Sequence, residues 1–161
     1  LPYRAFLRAD VTAAREVLDA VVAVAAGADR TVQTKVIIES GELATPEAIR
    51  AAATLAIDSG TDFVKTSTGK SPVSATPEAA EAILSVIAAL PEGSRTVGFK
   101  ASGGIRSVDD ARIYIEIADR LLGEDWVSPA TFRFGASSLL DDVLRVLDGE
   151  ASQAPSSPTA Y

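Results

Sequence analysis

Lysine is scarce in this chain, and its placement is unusual. Of the 15 basic residues, only four are lysines. Lys35, Lys65 and Lys100 each lie in a short apolar segment with the composition of a buried strand, and Lys70 comes shortly after the second segment. Lysines that serve only solubility would lie on exposed helix faces, because burial of an ammonium group is unfavourable. The pattern therefore indicates lysines that take part in chemistry.

Two of these lysines are predicted to lie side by side. Because side chains alternate along a strand, Lys65 lies on the same side as Phe63 and Lys100 on the same side as Gly98. Both lysines lie at the carboxyl ends of their parallel strands, where folds of this class bind ligands. Neighbouring strands are about 4.8 Å apart, and a second cation beside an amine lowers the pKa of that amine. Two such amines therefore favour a neutral lysine near pH 7, and the residues alone leave open which of the two it is. A neutral lysine attacks carbonyl groups, so the spacing predicts Schiff-base aldol chemistry. The alternative interpretation is that Lys35, Lys65 and Lys100 are strand-end residues whose side chains reach into solvent and have no chemical role.

Three glycine-bearing turns are predicted at the same edge of the sheet. They cover 66–70, 101–106 and 135–138, and the last two run into helices. Glycine allows the backbone to approach an anion, helix N-termini present free N–H groups, and Ser and Thr add hydroxyl donors. Together the turns predict a phosphate site and a phosphorylated substrate. Singly, each turn has a simpler interpretation, because Gly and Ser are common in loops for geometric reasons.

The composition excludes several other kinds of chemistry. Cysteine, methionine and histidine are absent, which excludes thiol nucleophiles, histidine-based triads and the usual Cys/His zinc sites. We expect no metal and no cofactor. A net charge of -7 and a pI near 4.6 argue against a nucleic-acid partner. Because no run of about 18 apolar residues and no signal peptide is recognised, we expect a cytoplasmic protein with no membrane partner.

Predicted strands and helices alternate along the chain that carries the lysines and the glycine-bearing turns. Strands are predicted at 35–39, 62–65, 96–100 and 132–136. Each is followed by a helical apolar period, and one further helix precedes the first strand. The predicted buried helix faces, in chain order, are Val11, Ala14, Leu18, Val21 and Val22; Ile49, Ala52, Ala53 and Ala56; Ala80, Ile83, Leu84 and Ile87; Val108, Ala111, Ile115 and Ala118; and Leu140, Val143, Leu144 and Leu147.

Local signals mark where three of these helices begin. Thr45 and Thr76 each precede a proline, and a capping hydroxyl before a first-turn proline is typical of a helix start. Ser107 with Asp110 has the spacing of a capping box.

The alternation predicts an α/β fold. It implies parallel strands joined by right-handed crossovers, either in an open doubly wound sheet or in a (β/α) barrel. A barrel of eight units takes about 250 residues, so four units make half of one. We assign residues 1–148 to this half-barrel and 149–161, rich in Ser, Pro and Ala, to a flexible tail. Because Leu1 to Arg4 read as the exit of a strand, we expect the chain to be truncated.

Four longer motifs carry a resemblance to a known family. They are KVIIESGEL (35–43), DFVKTSTGK (62–70), VGFKASGGIR (97–106) and FRFGASSLL (132–140). In this order and spacing they resemble deoxyribose-phosphate aldolase. The resemblance covers nearly the whole chain and implies a TIM (β/α)8 barrel and a metal-independent class I aldolase. Such an enzyme reversibly cleaves 2-deoxy-D-ribose 5-phosphate to acetaldehyde and D-glyceraldehyde 3-phosphate in deoxyribonucleotide catabolism.

The resemblance also implies roles for individual residues. Lys65 would be the Schiff-base lysine, Lys100 the second lysine that lowers its pKa, and Lys35 a further lysine of the barrel interior. Tyr161 is similar to a C-terminal tyrosine that assists proton transfer in some members, although a chain end with no role is the alternative. The implied phosphate site comprises Gly69, Lys70, Gly103, Gly104, Arg106, Gly135, Ser137 and Ser138.

The chain departs from the family pattern in its proton shuttle. In the family an aspartate with this role lies before the position of Pro2, where this chain begins. Glu39 shares a predicted strand face with Lys35, but a strand-end carboxylate paired to a lysine is its simpler interpretation.

Three hypotheses remain open at this point. The chain is the C-terminal part of the aldolase, or a catalytically incomplete half-barrel that binds phosphate, or a Schiff-base lyase that acts on another phosphorylated aldehyde. In each case we expect a homodimer or a complex that completes the barrel.

Overall fold

A computed structural model of the chain describes residues 1–28 and 32–153. In chain order the elements are α1 (Tyr3–Leu7), α2 (Val11–Ala26), β1 (Lys35–Ile37), α3 (Ser40–Leu43), α4 (Pro46–Asp58), β2 (Phe63–Lys65), α5 (Pro77–Ala88), β3 (Gly98–Ser102), α6 (Val108–Leu122), β4 (Phe132–Gly135) and α7 (Leu139–Leu147). The predicted order of strands and long helices is confirmed.

The four strands form one parallel sheet in the order β1-β2-β3-β4. Lys65, Lys100 and Arg133 are in register across β2, β3 and β4, so their side chains leave the same face. Val64 and Phe99, on the other face, are fully buried in a core shared with α4, α5 and α6. The sheet therefore has one face covered by helices and one face that carries the cations.

The predicted helix starts are confirmed by their capping geometry. Thr45 and Thr76 each accept a hydrogen bond from the backbone N–H three residues further on. Ser107 and Asp110 form a reciprocal capping box at the start of α6. Caps of this kind each contribute about 1 kcal/mol to helix stability.

The third strand lies two residues later than the sequence predicts. It runs from Gly98 to Ser102 rather than from Thr96 to Lys100. Its start is fixed by the neighbouring strand, because β2 begins at Phe63 and Phe63 is in register with Gly98. Its end is extended by β4, which continues pairing up to Ser102.

The first strand is shorter than predicted. It ends at Ile37, and Glu39 adopts a left-handed conformation that starts the four-residue helix α3. Neither α3 nor α1 was predicted, because helices of four and five residues are too short to show an apolar period.

The predicted buried faces of α4 and α5 are confirmed, whereas that of α7 is wrong except at Val143, which packs against the core. Leu140, Leu144 and Leu147 are 66%, 51% and 75% exposed, and the residues that α7 buries are Leu139 and Asp142. The apolar period was read correctly, but α7 lies beside α6 at the end of the helix layer. In the described part of the chain, this stripe stays in solvent.

The remaining two helices agree with the prediction in part. On α2, Ala14 and Leu18 are buried, but Val11 and Val21 are exposed. The face of α6 is turned slightly from the predicted one, so that Tyr114 and Ile117 are buried beside Ala118.

Within the two described ranges, no helix combines the length and the apolar character that crossing a membrane requires.

Candidate active site

Four cations share the sheet face opposite the core formed with α4, α5 and α6. Lys35 is in register with Phe63, two residues before Lys65, so it lies on the same face one step lower. Lys65, Lys100 and Arg133 then form a row across three strands. Lys35 is exposed, whereas the other three are half-buried. The structure thus brings together the three lysines that the sequence predicts to be catalytic.

The environment of Lys65 favours its neutral form. Burial is the main cause that lowers the pKa of Lys65. Repulsion from Lys35 lowers this pKa further, and attraction by Glu39 opposes the shift. Attack on a carbonyl requires a neutral amine, so a lowered pKa increases the reactive fraction of this lysine near neutral pH.

The cations of this face also act on Lys100. Burial and the positive charges of Lys35, Lys65 and Arg133 lower the pKa of Lys100. Lys35 lowers the pKa of Lys65 as well, so repulsion among these cations lowers the pKa of both paired lysines.

Gly135 sets the space that Lys100 occupies. A methyl group on Gly135 would come within 2.9 Å of Lys100 Cε and 2.5 Å of Ser102 Oγ, both closer than side-chain carbons approach other groups. The Ser102 hydroxyl donates a hydrogen bond of 3.1 Å to the carbonyl of Gly135. The absence of a side chain at Gly135 therefore allows Lys100 and Ser102 to lie against β4.

A cavity of about 360 Å³ opens at the carboxyl ends of β2, β3 and β4. Lys65 stands in its wall. The other lining residues come from the three glycine-bearing turns and the segment before α5, and they are Thr68, Gly69, Ser74, Ser102, Gly103, Gly104, Ile105, Arg106, Gly135, Ala136, Ser137 and Ser138. One amine and a wall of small polar residues thus share one space.

The cavity agrees closely with the predicted phosphate site, and Lys70 is the exception. Every other predicted phosphate residue lines the cavity. Lys70 is exposed outside it, and its backbone N–H donates to Thr68 Oγ1. Tyr161, the remaining predicted residue, lies outside the described residues.

One lining hydroxyl was not predicted. Thr68 and Ser102 belong to the glycine-bearing turns 66–70 and 101–106, whose Ser and Thr hydroxyls were predicted as donors. Ser74 had no such signal, since only the path of the loop after Lys70 brings it to the cavity.

The cavity has the features of an anion site. The backbone passes through left-handed conformations at Gly69, Gly103 and Gly104, with φ of 82°, 94° and 81°. The helices α6 and α7 begin beside it, and their N-termini carry partial positive charge. Ser138, which precedes α7, makes no capping hydrogen bond with its side chain. The arrangement suits a phosphate group held near a reactive amine.

The described residues hold no group of three or more Asp and Glu side chains placed to bind a metal ion.

Comparison with known proteins agrees with this geometry. The sequence matches the model of the DeoC/LacD family of aldolases over residues 6–145. The structure is similar to that of a protein from Coccidioides immitis described as a candidate deoxyribose-phosphate aldolase, with 25% identity and a TM-score of 0.72, over 89% of this chain and 50% of that one. It is also similar to an aldolase designated QR15, with 26% identity and a TM-score of 0.65, over 91% of this chain and 58% of that one.

A third similarity concerns the fold alone. A protein from Toxoplasma gondii ME49, also described as a candidate deoxyribose-phosphate aldolase, is 19% identical with a TM-score of 0.74, over 92% of this chain and 57% of that one. The chain therefore spans about half the length of the solved structures that it matches. With its parallel four-stranded sheet and alternating helices, it has the fold of part of a TIM-barrel aldolase and belongs to the DeoC/LacD family of aldolases.

Proposed function

We propose that this protein is a Schiff-base aldolase that reversibly cleaves 2-deoxy-D-ribose 5-phosphate to acetaldehyde and D-glyceraldehyde 3-phosphate. The observation that carries the proposal is the position of Lys65, whose side chain lines the same cavity as Gly69, Gly104 and Ser138. An amine and a phosphate site in one cavity match the two ends of a phosphorylated aldehyde.

The reaction follows from the chemistry of a neutral amine. Lys65 Nζ attacks C1 of the open-chain sugar, and the carbinolamine loses water to form an iminium ion. The C3 hydroxyl then loses its proton, the C2–C3 bond breaks, and its electron pair moves into an enamine, which releases D-glyceraldehyde 3-phosphate. Protonation of the enamine carbon and addition of water release acetaldehyde and restore the amine.

Lys65 is the better candidate nucleophile of the paired lysines. It lines the cavity, whereas Lys100 is not among the lining residues. In this proposal Lys100, Lys35 and Arg133 keep the site positively charged, which favours a neutral amine at Lys65 and attracts an anionic substrate.

The chain spans about half the length of the solved structures that it matches. We therefore propose that activity belongs to a homodimer or a complex that completes the barrel. We further propose that the protein acts in the cytoplasm, in the breakdown of deoxyribonucleotides.

A second candidate function is a half-barrel that binds phosphate and assembles with a partner without catalysis. The exposed leucine stripe of α7 favours it, because contiguous exposed apolar surface marks interaction sites. Acetaldehyde release separates the two functions. We expect release from 2-deoxyribose 5-phosphate and much less from 2-deoxyribose, whereas the binding module would release none from either.

The reverse reaction addresses a third possibility, a Schiff-base lyase that acts on another phosphorylated aldehyde. In the direction of synthesis, acetaldehyde would be offered with D-glyceraldehyde 3-phosphate and with other phosphorylated aldehydes. The proposal predicts preference for D-glyceraldehyde 3-phosphate, and a strong preference for another acceptor would contradict it.

A further inference from the structure

The turn after β1 has an unusual backbone for its sequence. Glu39 has φ 57° and ψ 63°, a left-handed conformation that residues with a Cβ adopt rarely. Such conformations persist where the surrounding contacts fix them, and they are frequent at functional sites. The contacts of the Glu39 side chain identify what fixes this one.

The Glu39 carboxylate is directed into the loop that follows Lys65. It is only 8% exposed, and its Oε1 accepts a hydrogen bond of 3.0 Å from the backbone N–H of Thr68. The Ser71 hydroxyl lies 3.1 Å from the same oxygen and 2.8 Å from the carbonyl of Val73, so its one proton is shared between two acceptors. One carboxylate oxygen therefore joins two points of the loop. The expected pairing of Glu39 with a lysine is replaced by these contacts.

The two residues after Glu39 hold the same loop. The backbone N–H of Ser40 donates to the carbonyl of Thr66 at 2.9 Å, and the hydroxyls of Ser40 and Ser67 are 3.2 Å apart. A methyl group on Gly41 would lie 2.1 Å from the carbonyl oxygen of Val73, so only glycine permits this approach. The turn 39–41 thus contacts the loop 66–74 along most of its length.

This loop forms one wall of the cavity. Thr68, Gly69 and Ser74 line the cavity, and the loop begins directly after Lys65. Glu39 does not line the cavity and lies behind that wall. A carboxylate inside the cavity would repel a phosphate. A carboxylate behind the wall instead orders the loop by accepting hydrogen bonds from it.

We propose that Glu39 is a positioning residue that holds the loop 66–74 in the conformation that binds the substrate phosphate. The inference rests on the proposed function, because it assigns Glu39 a part in recognising the phosphorylated end of that substrate. It predicts that loss of the carboxylate weakens the binding of phosphorylated sugars and leaves the binding of unphosphorylated sugars unchanged.

The test compares two sugars with the full chain and with variants. Borohydride trapping is measured against the concentration of 2-deoxyribose 5-phosphate and of 2-deoxyribose. We expect Glu39→Ala to raise the half-saturating concentration of the phosphorylated sugar about tenfold, the effect of losing hydrogen bonds to a charged group. The value for 2-deoxyribose should stay within about twofold, because that sugar does not use the phosphate wall.

Two variants serve as controls. Glu39→Gln keeps an oxygen that accepts from Thr68 and Ser71, so it should restore most of the preference for the phosphorylated sugar. Glu42→Ala removes an exposed carboxylate from the same short helix and should change neither value. If Glu39→Ala fails to fold, Ser71→Ala removes one contact to the carboxylate and should change the preference in the same direction by a smaller factor.

The outcomes distinguish this inference from the proposed function. An unchanged preference in Glu39→Ala, or equal losses for both sugars, overturns the positioning role and leaves the aldolase proposal intact. No adduct with either sugar in the folded unmodified chain overturns the proposed function, and the positioning role with it.

Discussion

Lys35 is one of the cations that lie on the same sheet face as the candidate nucleophile, Lys65. It lies on the neighbouring strand β1, and its charge lowers the pKa of Lys65. The sequence placed Lys35 in the interior without a specific task. A nearby cation increases the neutral fraction of Lys65, and we propose this task for Lys35.

Replacing Lys35 with Gln should shift the pH dependence of Lys65. Without the repelling charge the pKa of Lys65 rises toward its ordinary value, so the pH at which trapping reaches half its maximal rate should increase. The measurement is the rate of borohydride trapping with acetaldehyde across pH. Lys70→Gln, which removes an exposed lysine outside the cavity, is the matched control. A midpoint unchanged in Lys35→Gln would show that Lys35 does not act on Lys65.

Replacing Gly135 with Ala should disturb Lys100 directly. The added methyl group would lie 2.9 Å from Lys100 Cε, so the lysine must move or the strand must shift. We expect a loss of stability of about 1–3 kcal/mol and a fall in trapping rate of about tenfold. Urea unfolding and the trapping rate measure the two effects. Gly27→Ala, where a methyl group meets no atom closer than 3.5 Å, should change neither. Wild-type behaviour of Gly135→Ala would contradict the packing described for Lys100.

Single site residues were predictable where strand alternation governs them. Lys65 and Lys100 were assigned to one face because side chains alternate along a strand, whatever the rest of the fold does. Glu39 and Ser74 could not be placed in the same way. The position of Glu39 depends on a left-handed backbone, and that of Ser74 on the path of a loop, and neither leaves a period in the sequence.

At the scale of elements, Asp142 joins three segments. This fully buried carboxylate on α7 accepts hydrogen bonds from the backbone N–H of Val108, the hydroxyl of Ser152 and the backbone N–H of Gln153. It thereby ties the start of α6, which borders the cavity, to α7 and to the residues after it. The part of the predicted flexible tail that includes Ser152 and Gln153 is thus bound to the helix layer.

The stability of this junction should depend on acid pH. The hydrogen bonds from Ser152, Gln153 and Val108 lower the pKa of Asp142. Its contribution to stability is therefore present above the pKa near 3.9 of an unfolded aspartate, and it is lost as the pH falls through the lower folded value. In Asp142→Asn, urea unfolding should show lower stability at pH 7 and a smaller further loss toward pH 3.

Asp141→Asn is the matched control for that experiment, because Asp141 is the exposed neighbour on the same helix. It should leave the pH dependence unchanged. If Asp142→Asn and the unmodified protein lose the same stability between pH 7 and pH 3, the Asp142 carboxylate does not contribute to the pH dependence of stability.

Elements were predictable where local signals and burial agree. The caps at Thr45, Thr76 and Ser107 define their helices without help from the rest of the chain. The ends of β3 were not predictable, because they depend on where β2 and β4 begin and end. Strand boundaries are decided by pairing partners, which the local sequence does not contain.

At the scale of the whole molecule, the leucine stripe of α7 is the surface on which we propose that the chain associates with a partner. Leu140, Leu144 and Leu147 follow one face and are all more than half exposed in the described structure. The helix was predicted correctly from its period. Which face would be buried could not be predicted, because burial depends on how the helix packs in the fold and not on its own period.

Sedimentation velocity of the purified chain should give a mass about twice the 16.7 kDa of one copy. We expect Leu144→Glu to shift the protein toward one copy, since burial of a charge in an apolar contact is unfavourable. Ile113→Glu, at another exposed apolar position on α6, should leave the mass unchanged. A single-copy mass for the unmodified chain at tens of micromolar would contradict self-association.

Lys65 should form a Schiff base with the carbonyl substrate, and covalent trapping detects that bond. The folded chain is reduced with borohydride in the presence of acetaldehyde and, separately, of 2-deoxyribose 5-phosphate, and peptides are analysed by mass spectrometry. We predict one adduct, on the peptide that contains Lys65, and its loss in Lys65→Leu but not in Lys70→Leu. An adduct on Lys100 or Lys35 instead, or full adduct yield in Lys65→Leu, would contradict the assignment of the nucleophile.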